Sequence, residues 1–173
     1  MRGAVDRASH DVLVVGSGAA GLRAALAARE RGARVTVLCK GSPGKGSATI
    51  VSGGVFAGSA PGEPVEGHLA RTLQAGRGLN QPELARVLAA EAPERLRELV
   101  DWGLRAEDRQ GYLYSRGRAP VWGEEIVRCL VERNRAAGTE FVAGVVAGEL
   151  RCEEGVGRIT VSKASSHTCS LAC

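Results

Sequence analysis

The sequence predicts an α/β fold: a parallel β-sheet flanked by helices, with a β-hairpin toward the C-terminal end. Three observations predict it. The apolar run Asp11-Val12-Leu13-Val14-Val15 passes into the glycine cluster Gly16-Ser17-Gly18-Ala19-Ala20-Gly21 and then a helix-forming segment. A second β-branched run, Arg34-Val35-Thr36-Val37-Leu38, follows within the roughly 30 residues of a βαβ unit. Near the C-terminus, two strand-like segments flank Glu153-Glu154-Gly155, as in a hairpin.

Residues 1–10 read as a polar lead-in. The unbroken apolar character of residues 11–15 predicts a strand buried on both faces. Residues 22–31 read as a helix stopped by Gly32. The strand at 34–38 then pairs in parallel through a right-handed crossover. Residues 41–62 are rich in Gly, Ser and Pro and lack periodicity. That is long for an idle connection and predicts a ligand-contacting loop. Helices are expected at 65–76, 82–91 and 93–102, with Asn80 capping ahead of Pro82 and Pro93 in the first turn of a new helix. Leu84, Val87, Leu88, Leu96, Leu99 and Val100 supply their apolar stripe, and Gly103 ends it. Residues 104–121 read as loop. A helix at 124–137 carries Ile126, Val127, Leu130 and Val131 on one face, with Gly138 as its stop. Residues 141–151 read as a strand and 156–161 as its partner. The expected organisation is a lead-in (1–10), one partial binding domain (11–162) and an unstructured tail (163–173). An incomplete sheet of this kind leaves an open edge and unburied apolar surface.

Composition narrows the function. With 44% hydrophobic and 24% charged residues, the 173-residue chain is neither disordered, collagenous nor a coiled coil. Its net charge of +4 comes from dispersed, mostly Arg residues. That argues against nucleic acid and suits a phosphate-bearing ligand. Five cysteines, with no C-x-x-C pair and no signal-peptide pattern, are not a secreted disulfide framework. No apolar run approaches the ~18 residues of a membrane span, so the cytoplasm is the expected location.

Gly16-x-Gly18-x-x-Gly21, between a strand and a helix, is the dinucleotide fingerprint of a Rossmann-like fold. Gly16 permits the tight turn. Gly18 admits a pyrophosphate without a Cβ in the way, and Gly21 lets helix and strand pack closely. The helix N-terminus offers N–H groups and partial positive charge to the phosphates. Ala25, Gly32 and Val35 fall where such a unit wants small, turning and buried residues. The second strand ends in Cys39-Lys40, where an acidic ribose anchor normally stands. Cys39 reads as a small buried residue rather than a reactive thiol. Lys40 either faces a phosphate or is solvated.

Residues 11–21, Cys39-Lys40-Gly41 and the run Gly46-Ser47-Ala48-Thr49-Ile50-Val51-Ser52-Gly53-Gly54-Val55 together resemble the N-terminal flavin domain of one family. It is the succinate dehydrogenase, fumarate reductase and L-aspartate oxidase flavoprotein family. His68-x-x-x-Thr72-Leu73-x-Ala75-Gly76-x-Gly78-Leu79 and Ala92-Pro93-x-x-Leu96-x-x-Leu99-Val100-x-x-Gly103 match its pattern too. The resemblance covers residues 10–162 and is strongest over 11–103. It implies an FAD/NAD(P)-binding fold with FAD, not NAD, as cofactor. Gly16, Ser17, Gly18, Ala19, Ala20 and Gly21 would form the pyrophosphate turn. Cys39 and Lys40, with the run Ser47, Ala48, Thr49, Ile50, Val51, Ser52, Gly53 and Gly54, would continue the cradle toward the flavin. Members that attach FAD covalently carry His at the position of Ser47. The resemblance therefore implies non-covalent FAD and a type closer to L-aspartate oxidase than to the respiratory complexes.

The departures carry expectations of their own. Arg71 stands where the family has Asp. An Arg/His-rich stretch leading to Thr-Gly is replaced by Gly117-Arg118-Ala119-Pro120-Val121-Trp122-Gly123, of which only Gly123 matches. The capping domain with its proton-handling arginine is expected to be missing, so no residue here is expected to be catalytic and no turnover is expected from the chain alone. Residues 163–173 resemble nothing in the family and read as an out-of-frame or truncated end. In full-length relatives, the substrate implied is a dicarboxylate or amino-dicarboxylate. Two other readings stand beside this one: a non-catalytic nucleotide-binding module or gene remnant, and a subunit whose cap comes from a partner chain. His167-x-Cys169-x-x-x-Cys173 lacks a framework and reads as tail rather than metal site. His10 and His68 are isolated, and His68 reads as a capping or packing residue. The arginines at 82–102 and 124–137 read as solvated faces.

Overall fold

The structure is a computed structural model that describes residues 10–58, 63–153 and 156–163. In chain order the elements are β1 (Val12–Val15), α1 (Ala19–Glu30), β2 (Val35–Cys39), β3 (Val55–Ala57), α2 (Val65–Gly76), α3 (Pro82–Asp101), β4 (Ala106–Arg109), β5 (Tyr112–Ser115), α4 (Glu124–Ala136), β6 (Glu140–Ala143), β7 (Val145–Glu153) and β8 (Val156–Lys163). They form two compact units. One contains the described residues up to Ser47 and from Val131 onward; the other spans Ala48–Leu130, so the boundary falls within α4.

The first unit is built on a parallel sheet in the order β1-β2-β6. Val12 pairs with Val35 and Val15 with Leu38, while Thr36 pairs with Glu140 and Cys39 with Ala143. All five residues of β2 are buried, as expected of a central strand. Against it lies α1 through Ala25, whose small side chain lets the helix approach; Val35, Val37 and Cys39 complete the cluster, with Val12, Val14 and Phe141 beside it. At the far end of α1, Arg29 donates to the carbonyls of Ala33 and Ala137, both at 2.8 Å. Asn134 is fully buried: its amide donates to Leu22 O at 3.0 Å and its oxygen accepts from Thr139 Oγ1 at 2.9 Å. The buried Asn134 amide thus has, on both its oxygen and its nitrogen, the partner that burial demands.

Two expectations fail in this unit. β1 is not buried on both faces: Leu13 and Val15 are exposed while Val12 and Val14 are partly covered. An unbroken apolar run cannot say which face is covered: Val12 and Val14 lie against the Ala25 cluster of α1, and Leu13 and Val15 face away from it. The strand expected at 141–151 is two strands. Gly144, at φ 74°, turns the chain between β6, which joins the parallel sheet, and β7, which pairs antiparallel with β8.

The second unit packs α2 beside α3 through Leu69, Ala85 and Ala89, with Val65 and Leu73 at the margin. Here the reading of the helices needs three corrections. Residues 82–91 and 93–102 are not two helices but one, α3, running through Pro93. Pro93 forfeits its N–H bond to Ala89, yet Ala85, Ala89 and Leu99 lie on one helical face and are all buried. Arg95 reaches Glu91, Glu94 and Glu98 across the same turn. The expected stripe is largely solvent-facing: Leu84, Val87, Leu88 and Val100 are exposed, because the close α2–α3 contact uses alanines. Asn80 does not cap α3. The N-cap is Gln81, without a side-chain bond, and the Asn80 amide folds back onto Gly76.

Residues 104–121, read as loop, contain a hairpin. β4 and β5 pair antiparallel around a tight turn at Gln110-Gly111, both with positive φ. β3, inside the stretch expected to lack structure, pairs with the other edge of β5 to give the order β3-β5-β4.

Candidate functional site

The first unit presents the glycine turn at the carboxyl end of its parallel sheet, where ligands bind in open α/β folds. Gly16 follows β1 directly at φ 98°, a backbone conformation that glycine adopts freely. Gly21 is required for space: a Cβ there would collide with the Gly16 carbonyl and come within 3.3 Å of Val14. Gly18 is the N-cap of α1, without a side-chain cap bond, and no acidic residue stands in the first turn. No carboxylate on that turn opposes the positive end of the helix dipole. The donor set therefore fits a diphosphate.

Ser17 is buried, and its Oγ accepts the Gly44 N–H at 2.8 Å. Ser47 Oγ in turn donates to Gly44 O at 2.8 Å. Gly44 thus joins the glycine turn to the loop ending in Ser47. Ala19 and Gly18 are half-buried and Ala20 exposed. Cys39 is turned inward, 2% exposed, with Sγ 3.8 Å from Val37 O, whereas Lys40 is exposed. A charged cluster lies at the opposite, amino end of the sheet. There Arg34 holds the Asp11 carboxyl down at about 2 through its guanidinium and backbone N–H bonds. Thr36 Oγ1 meets His10 Nδ1 at 2.8 Å and donates to Glu140 at 3.1 Å.

In the second unit, residues Ala48 to Gly54 form a compact turn before β3. Ser52 N–H donates to Thr49 O at 3.2 Å, Ser52 Oγ donates to the same carbonyl at 2.7 Å, and Gly54 N–H donates to Ser52 Oγ at 3.3 Å. Ile50 is half-buried and Val51 exposed. Gly54 combines φ 67° with close approach: a Cβ would stand 2.7 Å from Trp122 O and against Ser115 Oγ. Gly53 has neither constraint, with open space where its Cβ would point.

The sequence reading missed what holds this turn. Ser115 N–H donates to Gly54 O at 2.8 Å, and Ser115 Oγ donates to Trp122 O at 2.9 Å. Gly117 packs on the Trp122 carbonyl and Gly123 on the Thr49 carbonyl. The chain from Ser115 to Gly123 therefore folds back onto residues 49–54. The only signal was the glycine pair at 117 and 123. Just beyond, buried Glu125 accepts from Arg105 at 2.6 and 2.8 Å and from Arg128 at 3.1 Å. The Arg105 guanidinium above all, with Arg128, holds its carboxyl at about 2 against the opposing effect of burial. Arg128 also donates to Gly103 O at 3.1 Å, tying the start of α4 to the chain leaving α3.

Of the weaker constellations, His68 is buried within α2, the packing role expected of it. Cys39, Cys129 and Cys152 are free thiols. His167, Cys169 and Cys173 lie outside the described residues. Among the described residues, no helix is long and apolar enough to cross a membrane.

A glycine turn at the head of a parallel sheet, opening a helix packed against it, defines a dinucleotide-binding class. The chain belongs to the FAD binding domain family, which it matches over residues 11–170, and its cofactor is FAD. That match runs beyond residue 162, where the resemblance was expected to end. Within the family, the chain is of the fumarate reductase, succinate dehydrogenase and L-aspartate oxidase kind. It is 37% identical over 153 residues to the L-aspartate oxidase of Streptomyces coelicolor, covering 81% of this chain and 26% of that one. To one component of the fumarate reductase (CoM/CoB) of Methanothermobacter marburgensis it is 32% identical over 139 residues, covering 78% and 25%. A solved Mycobacterium smegmatis Sdh1 superposes at TM-score 0.69 with 26% identity, covering 92% of this chain and 33% of that one. An E. coli quinol fumarate reductase FrdA superposes at 0.75 with 20% identity, covering 88% and 29%, a likeness of fold alone. The chain spans about a quarter of the length of these curated relatives.

Proposed function

We propose that this chain is the FAD-cradling part of a flavin-dependent oxidoreductase acting on a dicarboxylate or amino-dicarboxylate, and that it holds FAD non-covalently. The observation that carries the reading is the glycine turn at the uncapped, acid-free start of α1. Gly16, Gly18 and Gly21 shape the turn, and the N–H groups from Ser17 to Ala20 face the pyrophosphate. Ser17 Oγ accepts from Gly44, which leaves its own O–H proton to donate. Lys40, exposed at the end of β2, adds positive charge on the same side, and Cys39 closes the strand as a small buried residue. Residues Ser47 to Gly54 take the flavin side, where bare backbone at Gly53 allows close approach. Bound FAD supplies the two-electron chemistry; the protein binds and orients it. Ser47 offers a hydroxyl engaged with Gly44 O rather than an imidazole for attachment.

The test is FAD binding by the purified chain. We expect flavin absorbance to persist through desalting and to pass into the supernatant on acid precipitation. Flavin that stays with the acid pellet overturns the non-covalent assignment. Folded protein that retains no flavin overturns the cradle.

A further inference from the structure

The chain has two tryptophans. Trp102 caps the end of α3, is partly buried, and its carbonyl takes a contact from Cys129 Sγ at 3.7 Å. Trp122 combines a fixed backbone with an open ring. Its carbonyl is held by Ser115 Oγ at 2.9 Å and packs against both Gly54 and Gly117, yet the residue is 45% exposed. Leaving a half-exposed indole in water forgoes the burial that makes tryptophan worth carrying. The place is also particular. Its carbonyl would lie 2.7 Å from a Cβ on Gly54, and the neighbouring Gly53 is a glycine that neither positive φ nor crowding demands. An exposed aromatic side chain whose backbone is fixed against Gly54, next in sequence to the side-chain-free Gly53, has what a planar ligand requires of a contact residue.

We propose that Trp122 is a cofactor-contacting residue, its indole packing against the isoalloxazine ring at the Gly53-Gly54 turn. The inference rests on the assignment of residues 47–54 to the flavin side. Offset or edge-on contact between two aromatic systems adds affinity, and a contacting indole quenches flavin emission.

The experiment titrates FAD into the full chain, Trp122→Phe, Trp122→Ala and, as reference, Trp102→Phe. Trp122→Phe is expected to keep affinity and raise bound-flavin emission several-fold. Trp122→Ala is expected to weaken binding roughly three- to tenfold. Trp102→Phe should leave both unchanged. A second measurement needs no change at position 122: in Trp102→Phe, bound FAD should shield the remaining indole from acrylamide quenching. Equal bound-flavin emission in all four proteins, or an indole as open to acrylamide with FAD as without, overturns the proposal while leaving the flavin site standing. A parent chain that binds no FAD overturns the site and this inference together.

Discussion

The two units solve the same problem with different materials. The first places its glycine turn by burying apolar side chains: all of β2 is covered, and α1 seats Ala25 against it. The second places residues 48–54 mainly by backbone contact, with Ser115 and Trp122 closing on Gly54, and Gly123 on Thr49. One turn stands on a hydrophobic core and the other on a knot of carbonyls, hydroxyls and glycines. A substitution in each should therefore fail in a different way.

Gly21→Ala should give the largest effect. Its Cβ would strike the Gly16 carbonyl, forcing the turn away from the head of α1. Overpacking of this kind costs about 3 kcal/mol, and since it falls on the turn proposed for the pyrophosphate, FAD affinity should drop on the order of a hundredfold. The adenine side goes with it, so ADP should also fail to compete for binding. FAD titration with ADP competition checks this; retention of ADP binding in the variant would place the diphosphate elsewhere.

Gly123→Ala breaks the other unit. Its Cβ would meet the Thr49 carbonyl and stand 2.7 Å from Ser52 Oγ, disturbing the turn assigned to the flavin ring. The expected loss is smaller, roughly tenfold in FAD affinity, with a shifted visible spectrum and ADP binding unchanged. If Gly123→Ala weakened ADP as much as FAD, the division of labour between the units would be wrong.

This division also explains what the sequence revealed. The βαβ unit was legible because its signals are local: a β-branched run, glycines at fixed offsets, and a helix stopped by Gly32. The fingerprint residues Gly16 to Gly21 could be named for the same reason, whereas Ser47 to Gly54 were named only through the resemblance to the flavoprotein family. The hairpin β4–β5 was missed because Ala106-Glu107-Asp108-Arg109 is a strand only by its pairing with Tyr112 to Ser115. Helix α3 was cut at Pro93 because proline is a local breaker, whereas the burial of Ala85, Ala89 and Leu99 on one face is a tertiary fact. Leu84, Val87 and Leu88 misled in the opposite sense: their helical spacing is right, but the neighbouring helix packs on alanines. Ser115 and Trp122 carried no motif at all. Their role comes from a chain reversal that brings a hydroxyl to a carbonyl seven residues on.

Glu125 acts on stability rather than on FAD affinity, and with the sharpest dependence on conditions. Its buried carboxylate supports the second unit just past Gly123, so Glu125→Gln should destabilise that unit by about 2 kcal/mol, the worth of hydrogen bonds to a charged group. Arg105 and Arg128 lower its pKa from 4.5 to about 2 in the folded protein. The stabilisation is therefore complete above the unfolded value and is lost as pH falls through the window from about 4.5 to about 2. Denaturant melts of parent and variant should differ by a constant amount from pH 7 down to about 5, then converge. Asp11, likewise lowered to about 2 by Arg34, sits in the first unit and titrates in both proteins, so it cancels in the difference. A gap between parent and variant that persisted unchanged to the bottom of the window would mean that Glu125 acts through its shape rather than its charge. The second unit would then rest on packing, as the first does.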